Sequence, residues 1–585
     1  MTPTPSAAVF RIPSADGAGT TVRANPATGG DNSRQRVTAQ LWSAPLSVRV
    51  EQVTSAFASD GLRGLAGITG PWAVALSDGD TILAVHDPTG IMPLYWAQLS
   101  DGGVAVSDHL PTLVLAPGVD STLEPDRIAM RYAGGGDAGW LGMSLTDYRH
   151  IHAVPPGQAI RVTPDGTVRQ VKFWDPGDVA GPDESMSPTQ AAQALRTALD
   201  GAVARAVAAA CERRHAPRAE AGSTGLAVTR IGAEWSPTTP GAVLAQAYLA
   251  AVDGGHLACV LGGRDTEGAP PELPPALSDV PFAPLTTTTQ MHEWTSALDY
   301  HRFPSRSRDS NVALAVQARH FQLTDVIAGR HPSPLPVSSA GITAGLLAKG
   351  HWQRARAVAR SESPTGGERM LRRFALGLVR DTVPESVVAR LRTPRRWAQR
   401  ARDIWCSPTT ATSGDPSGAV VVRRSPRSPV ATSLGREQAR RYTGARSARD
   451  YMIASWMSGA EHRFLEATWS YLAYFGIRMH QPFLDVEVVE TALRIPDSAW
   501  VHMDVPGWAY WAAVEPWIGT DAASRRGRPT AAESRLSQRE DQRRDTDGQV
   551  SEFRTWREND PTIAAILQGR PHSAGPTIDP CDWGI

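Results

Sequence analysis

The chain has 585 residues, too many for one ordinary domain, so two or three are expected, and an apolar content of 41% suits a folded protein with a substantial core. Its 59 basic and 59 acidic residues cancel, which argues against a dedicated nucleic-acid or anionic-membrane binder. The cysteines, Cys211, Cys259, Cys406 and Cys581, lie far apart, so neither a zinc site nor a disulfide framework is expected, and the reducing cytoplasm is the expected compartment.

The N-terminal stretch MTPTPSAAVFRIP has no basic region followed by an apolar run, so it does not read as a secretory signal. No apolar run reaches the length of a membrane span. Lys172 and Lys349 are the only lysines, so nearly all positive charge is arginine and few ammonium groups remain for catalysis or phosphate binding.

Residues 1 to about 178 read as strands and turns. GPWAVALSDGDTILAVHDPTGIMPLYW alternates apolar runs with Asp-Gly punctuation, and AVPPGQAIRVTPDGTVRQVKFWDP sets a Pro-Asp-Gly turn between two strands. At Ser187-Pro188 a helix is expected, with Ser187 as N-cap, Pro188 in its first turn, and Ala191, Ala194, Leu195, Ala198 and Val203 as its apolar stripe. GLAVTRI, a helix over 241–252 and HLACVL then read as a parallel α/β unit. The pattern is helical over about 343–402 and 436–517. Two segments read as flexible: 407–432, rich in Ser, Thr, Pro and Arg, and the charged 522–550.

Several stretches invite a functional reading and resolve to a plainer one. His150 and His152 in RHIH share a strand face, but no third ligand lies nearby, so a solvent-facing edge is expected. The Gly-rich YAGGGDAGW (132–140) reads as a flexible loop, and SRRGRP (524–529) as a solvated basic patch.

Four segments together resemble the asparagine synthetase family, and most closely its actinobacterial lasso-peptide macrolactam cyclases and β-lactam synthetases. HDPTGIMPLYW (86–96) is similar to that family's Arg-Asp-x-x-Gly-x-x-Pro-Leu-Tyr-Tyr hairpin, and VSDHLPTLVLAPGVD (106–120) follows it as the family's Ser-Glu-x-Lys-x-Leu segment does. VPPGQAIRV and KFWDP, within 154–176, resemble the closing hairpin and exit of the first domain. RMHQPFLDVEVVETALRIP (478–496) resembles the family's Arg-x-Pro-Phe-Leu-Asp corner and following helix.

The resemblance implies an α+β N-terminal domain of the N-terminal-nucleophile (Ntn) glutaminase type over 1–178. It implies an α/β (PP-loop-type, adenine nucleotide α-hydrolase-like) and helical synthetase domain over 187–517. The family's activity is ATP-dependent amide-bond formation through carboxylate adenylation. That chemistry needs a backbone cradle for pyrophosphate and carboxylates for Mg²⁺.

Neither is evident here. Before GLAVTR only a short polar stretch with AGST (221–224) stands where a strand, phosphate loop and helix belong, and the later loop reads VSSAG (337–341) without a carboxylate. The sequence therefore predicts a parallel sheet lacking its first strand and a domain lacking the phosphate loop. The nucleophilic cysteine expected after Met1 is replaced by Thr2, followed by Pro3, on a leader ahead of a first strand near Ala7. In 505–517, where the family places a lysine, Trp508, Tyr510, Trp511 and Trp517 stand instead, reading as core or as a peptide platform.

No catalytic, cofactor-binding or metal-ligating residue is therefore assigned, and no cofactor is expected. The reading is a non-catalytic binding or scaffold homologue in a peptide natural-product or related pathway, whose partner is a precursor peptide or a catalytic paralogue, with neither nucleic acid nor membrane as partner. The alternative is an active ligase using ATP and Mg. Structural roles are expected for Asp87 in the turn reaching Gly90, Trp174 at the domain junction, and Asp485 as a helix cap.

Overall fold

The computed structural model describes residues 7–10, 38–43, 50–77, 81–99, 103–124, 143–163, 167–211, 230–235, 239–262, 273–285, 309–328, 343, 346–347, 349–362, 445–457, 460–502 and 505–519. The expected flexible segments 407–432 and 522–550, the loop 132–140, and Thr2 and Pro3 all lie outside them.

Two antiparallel sheets build the N-terminal part. Strands β1 (Ala7–Phe10), β6 (Val104–Ser107), β5 (Tyr95–Gln98) and β7 (Ile151–Ala153) lie side by side in that order. The second sheet runs β2 (Thr38–Ser43), β3 (Trp72–Ser77), β4 (Ile82–His86), β8 (Gln158–Val162) and β9 (Val168–Lys172). The first strand starts at Ala7, as the sequence predicts.

Side-chain alternation along β3 explains the layering. Ala73 and Ala75 face a core shared with Val104 and Val106 of the other sheet. Trp72, Val74 and Leu76 face Val53 of helix α1 (Val50–Gly64) and Leu65 just beyond it. On the far side, Ala105 and Tyr95 meet Leu110 and Leu113 of helix α2 (Leu110–Val114). The stack is thus helix, sheet, sheet, helix, with β3, β4 and β6 buried on both faces.

Asp87 ends β4 and orders the hairpin that follows. Its Oδ1 accepts from the backbone N–H groups of Thr89 (3.0 Å), Gly90 (2.6 Å) and Ile91 (3.3 Å), and from the Thr89 hydroxyl; its Oδ2 accepts from Met92 N–H (3.3 Å). Burial pushes this carboxyl up from its ordinary range, against the neighbouring His86 and the amide donors. Gly90 takes φ +67°, and a Cβ there would lie 2.4 Å from the Pro156 ring, so the turn needs glycine for both conformation and space.

Trp174 closes this part against the helical region. Its backbone N–H donates to Gly157 O (3.0 Å) and its indole Nε1–H to Glu490 Oε1 (3.1 Å), while its ring meets Trp456 edge-on at 6.1 Å. Downstream, the Arg449 guanidinium donates to the carbonyls of Pro176, Gly177 and Val179. Asp183 N–H donates to Arg494 O (2.9 Å). The connecting segment is therefore tied along its length to the part it leads into.

Ser187 begins helix α3 (Pro188–Cys211) through reciprocal bonds: Gln190 N–H donates to Ser187 Oγ and Ser187 N–H to Gln190 Oε1 (2.9 Å). Beyond it, β12 (Phe282–Pro284), β11 (Cys259–Gly262), β10 (Ile231–Trp235), β13 (Asp325–Ile327) and β14 (Arg478–His480) form a parallel sheet. Helix α4 (Gly241–Asp253) links β10 to β11, close to the predicted 241–252.

The sequence places a strand at GLAVTR and expects the sheet to lack its first strand. Among the described residues the first strand of this sheet in chain order is β10 at Ile231–Trp235, which is also its central one, giving the doubly wound order 3-2-1-4-5. Residues 225–229 lie outside the described residues.

The remaining described elements include α5 (Asp309–His320), α6 (Trp352–Glu362), α7 (Ala448–Trp456), α8 (Ala460–Tyr474), α9 (Val486–Arg494) and α10 (Trp508–Ile518). The Pro482–Leu484 corner is one turn of 3₁₀ helix with all three residues buried. Asp485 then caps α9, its Oδ1 accepting from Glu487 N–H (3.1 Å), as predicted. It also pairs with Arg205 of α3, Nη2 lying 2.9 Å from Oδ1 and Nε 3.2 Å from Oδ2.

Replacing Trp174 by alanine removes a buried ring and its bond to Glu490 together. The expected cost is about 3–5 kcal/mol, read as a lowered denaturation midpoint; an unchanged midpoint would contradict the junction role.

Candidate functional site

In a doubly wound sheet, ligands sit outside the carboxyl ends of the strands where the strand order reverses, and anions meet the turn after the first strand. Here that position lies between β10 and β13, and the sequence between β10 and α4 reads Ser236-Pro237-Thr238-Thr239-Pro240, of which 236–238 lie outside the described residues. Such a cradle works through backbone N–H groups, and Pro237 and Pro240 have none. Pro240 sits at the N-cap and offers no side-chain cap. The sequence reading expects this part of the site to be deleted; β10 and α4 flank the position, residues 236–238 between them lie outside the described residues, and the sequence there carries no glycine.

Around this turn the structure brings together residues that the sequence reading did not single out. Glu234 is buried within β10, and Trp235 Nε1 and Thr239 Oγ1 are buried without a hydrogen-bond partner. IGAEW was not singled out as a strand, which hid them; the Pro-Thr-Thr-Pro run before the apolar GAVLAQAYLAAV is the signal that could have found them. The VSSAG loop (337–341) lies outside the described residues. Among the described residues no group of three or more His, Cys, Asp or Glu side chains is placed to hold a metal ion.

A second cluster joins the two strands at one edge of the sheet. Asp325, fully buried, accepts from His480 Nε2 (2.9 Å) and pairs with Arg478 Nη2 (3.0 Å). Burial pushes the Asp325 carboxyl up, but His480 and Arg478 outweigh it and hold the carboxyl below its ordinary range. Asp325 opens β13 and Arg478 opens β14, so both start at the amino end of the sheet, opposite the ligand edge. The cluster joins strands; it does not face the reversal point.

In the N-terminal part, β6 ends at Ser107, whose Oγ accepts from His109 N–H. Asp108 is half-buried as a residue, yet its Oδ1 is shielded and unpartnered, and burial pushes its carboxyl up to about 7. Burial lowers His109 to about 4, with Nδ1 bonded to Thr112 Oγ1 (2.8 Å). Both lie beside the start of β1, since Ala7 pairs with Ser107.

His150 and His152 do not converge. His150 is exposed and lies 3.5 Å from Asp120 Oδ2, while His152 stacks on Trp96 at 5.0 Å, on edge strand β7. Tyr510 and Trp511 are buried and Trp508 and Trp517 half-buried, which fits core packing more than an open platform.

A cleft between the two parts is lined by His86, Leu94, Tyr95 and Pro156 on one side and by His462 and Glu466 of α8 on the other, with a cavity volume of about 30 Å³.

Comparison with known proteins bears on the first part of the chain. A family profile described as a glutamine amidotransferase domain matches residues 47–174. The chain carries a glutamine amidotransferase-like domain. The matched span takes in α1, β3 to β9 and Trp174, and begins after β1 and β2. No curated protein matches the chain. Among solved structures, glutamine phosphoribosylpyrophosphate amidotransferase from B. subtilis, complexed with ADP and GMP, is similar at 10% identity over 52% of this chain and 64% of that one, with a TM-score of 0.15. An overlap that low carries no argument, and the chain spans less than two thirds of that relative. No helix among the described residues is long and apolar enough to cross a membrane.

The Asp325 cluster gives a pH signature. Its folded carboxyl titrates below the unfolded one, so its stabilisation is full above the ordinary aspartate range near pH 4 and is lost as pH falls through the folded value. Asp325→Asn is expected to be clearly less stable than the parent at pH 7, with the gap narrowing below about pH 4; a gap independent of pH would contradict the assignment.

Proposed function

We propose that this chain is an asparagine synthetase or lasso-cyclase homologue working as a non-catalytic binding or scaffold subunit in a peptide natural-product or related pathway. Its partner is a precursor peptide or a catalytic paralogue. The amidotransferase-like domain, the parallel 3-2-1-4-5 sheet and the capped Pro-Phe-Leu-Asp corner follow one another in the order that the resemblance implies. The observation that carries the non-catalytic reading is the Ser-Pro-Thr-Thr-Pro sequence between β10 and α4, in which two of five residues lack the N–H that a phosphate needs.

One observation favours the alternative, an ATP- and Mg-dependent ligase that adenylates a carboxylate. Helix α4 still starts at the reversal point, and Thr239 Oγ1 beside it is buried without a partner. A helix end alone supplies weak anion attraction; a triphosphate also needs its metal held against it.

Two assays separate the readings. Glutamate release from glutamine is expected to stay at the blank. Saturating Mg·ATP is expected to leave the melting temperature unchanged, whereas a ligand at a hundred times its dissociation constant adds about 2.7 kcal/mol. A rise of several degrees, or pyrophosphate release with a peptide acid, would establish the ligase.

A further inference from the structure

One carboxyl of the amidotransferase-like domain is shielded without a donor. Asp108 directly follows β6, and its Oδ1 is buried with no hydrogen-bond partner. Burial pushes the carboxyl up to about 7; only the residue's own backbone N–H opposes that, and no charged neighbour offsets it. Among the described elements beside β6, strands β1 and β3 and helix α2 carry no titratable side chain, and β5 carries only Tyr95. The adjacent His109, lowered to about 4, is neutral above that pH and meets Thr112 Oγ1 through Nδ1.

Strand β1 is held on one side only. It has four residues, lies at the edge of its sheet and pairs with β6 alone among the described strands. Its first pair, Ala7 with Ser107, stands one residue short of Asp108. On the other side β6 is fixed by β5, which is paired in turn with β7. Of the two neighbours of β6 in its sheet, β1 is therefore the one free to move.

We propose that Asp108 is a proton-operated latch: β1 stays docked on β6 while this carboxyl is protonated, and its ionisation loosens the strand. A carboxylate shielded from water without a donor is strongly disfavoured, whereas the neutral carboxyl is tolerated. Moving the edge strand away lets water reach the charge, so ionisation and loosening favour each other. Below the ordinary aspartate range near pH 4 the carboxyl is protonated whether or not β1 is docked, and docking has its full strength. Between about pH 4 and the folded value of about 7 only the loosened state ionises, so docking weakens as pH rises; above that it stays at its weakest. The latch lies in the first domain and does not depend on whether the parallel sheet binds nucleotide.

The test is hydrogen–deuterium exchange of the full chain at about pH 5 and about pH 8, each rate divided by the intrinsic rate at that pH. Protection of residues 7–10 is expected to fall roughly tenfold or more between them, while protection of 168–172, an edge strand of the other sheet, stays level. Asp108→Asn cannot ionise and should keep the parent's low-pH protection at both values. His109→Gln should show the same fall as the parent. The proposal is overturned if protection of 7–10 in the parent does not change with pH, if 168–172 falls with it, if Asp108→Asn still shows the fall, or if His109→Gln abolishes it. Should Asp108→Asn fail to fold, the parent and His109→Gln still decide.

Discussion

The pairing of Asp485 with Arg205 is the constraint on which the C-terminal architecture depends. One carboxylate, 4% exposed, caps α9 through Glu487 N–H and receives both Nε and Nη2 of an arginine 280 residues earlier. Burial pushes the Asp485 carboxyl up and Arg205 opposes that shift, so the corner keeps its charge only while α3 lies alongside. Breaking a buried pair by removing one partner costs about 3–5 kcal/mol, because the other charge is stranded; Arg205 is partly exposed, so the lower end or less applies here. Since β14 ends at His480, the same corner also fixes the edge strand of the parallel sheet against the long helix. Asp87 solves the equivalent problem in the amidotransferase-like domain, where backbone amides take the place of a guanidinium.

The two parts meet through side chains that satisfy backbone groups on the connecting segment. Arg449 binds carbonyls that have no strand or helix partner, and Trp174 fills the junction while its indole N–H finds Glu490. Gly90 sets the hairpin so close to α8 that a Cβ there would lie 3.1 Å from the His462 ring. A junction built this way positions the cleft containing His86 and Glu466 with the same definition as the core around it.

Local signals were legible in the sequence and long-range ones were not. Ser187 with Gln190, Asp485 with Glu487, and Asp87 with Gly90 all act within three residues, so residue type and spacing suffice to predict them. The central strand IGAEW was not legible because it carries a glycine, a glutamate and no clean alternation; burial on both faces of a parallel sheet lets such a segment serve as a strand. Asp325 and His480 are 155 residues apart, and only the strand order brings them together. The bond between His86 Nδ1 and Val154 O was equally hidden, since the two lie 68 residues apart.

The proposed non-catalytic reading rests on the Ser-Pro-Thr-Thr-Pro segment ahead of α4, whose two prolines offer no backbone N–H to a phosphate. Hydrogen–deuterium exchange of the first two turns of α4 (241–247), with and without saturating Mg·ATP, reads that position directly. Superimposable exchange curves are expected there. Slower exchange in those turns on adding Mg·ATP, absent with Mg²⁺ alone, would contradict that reading.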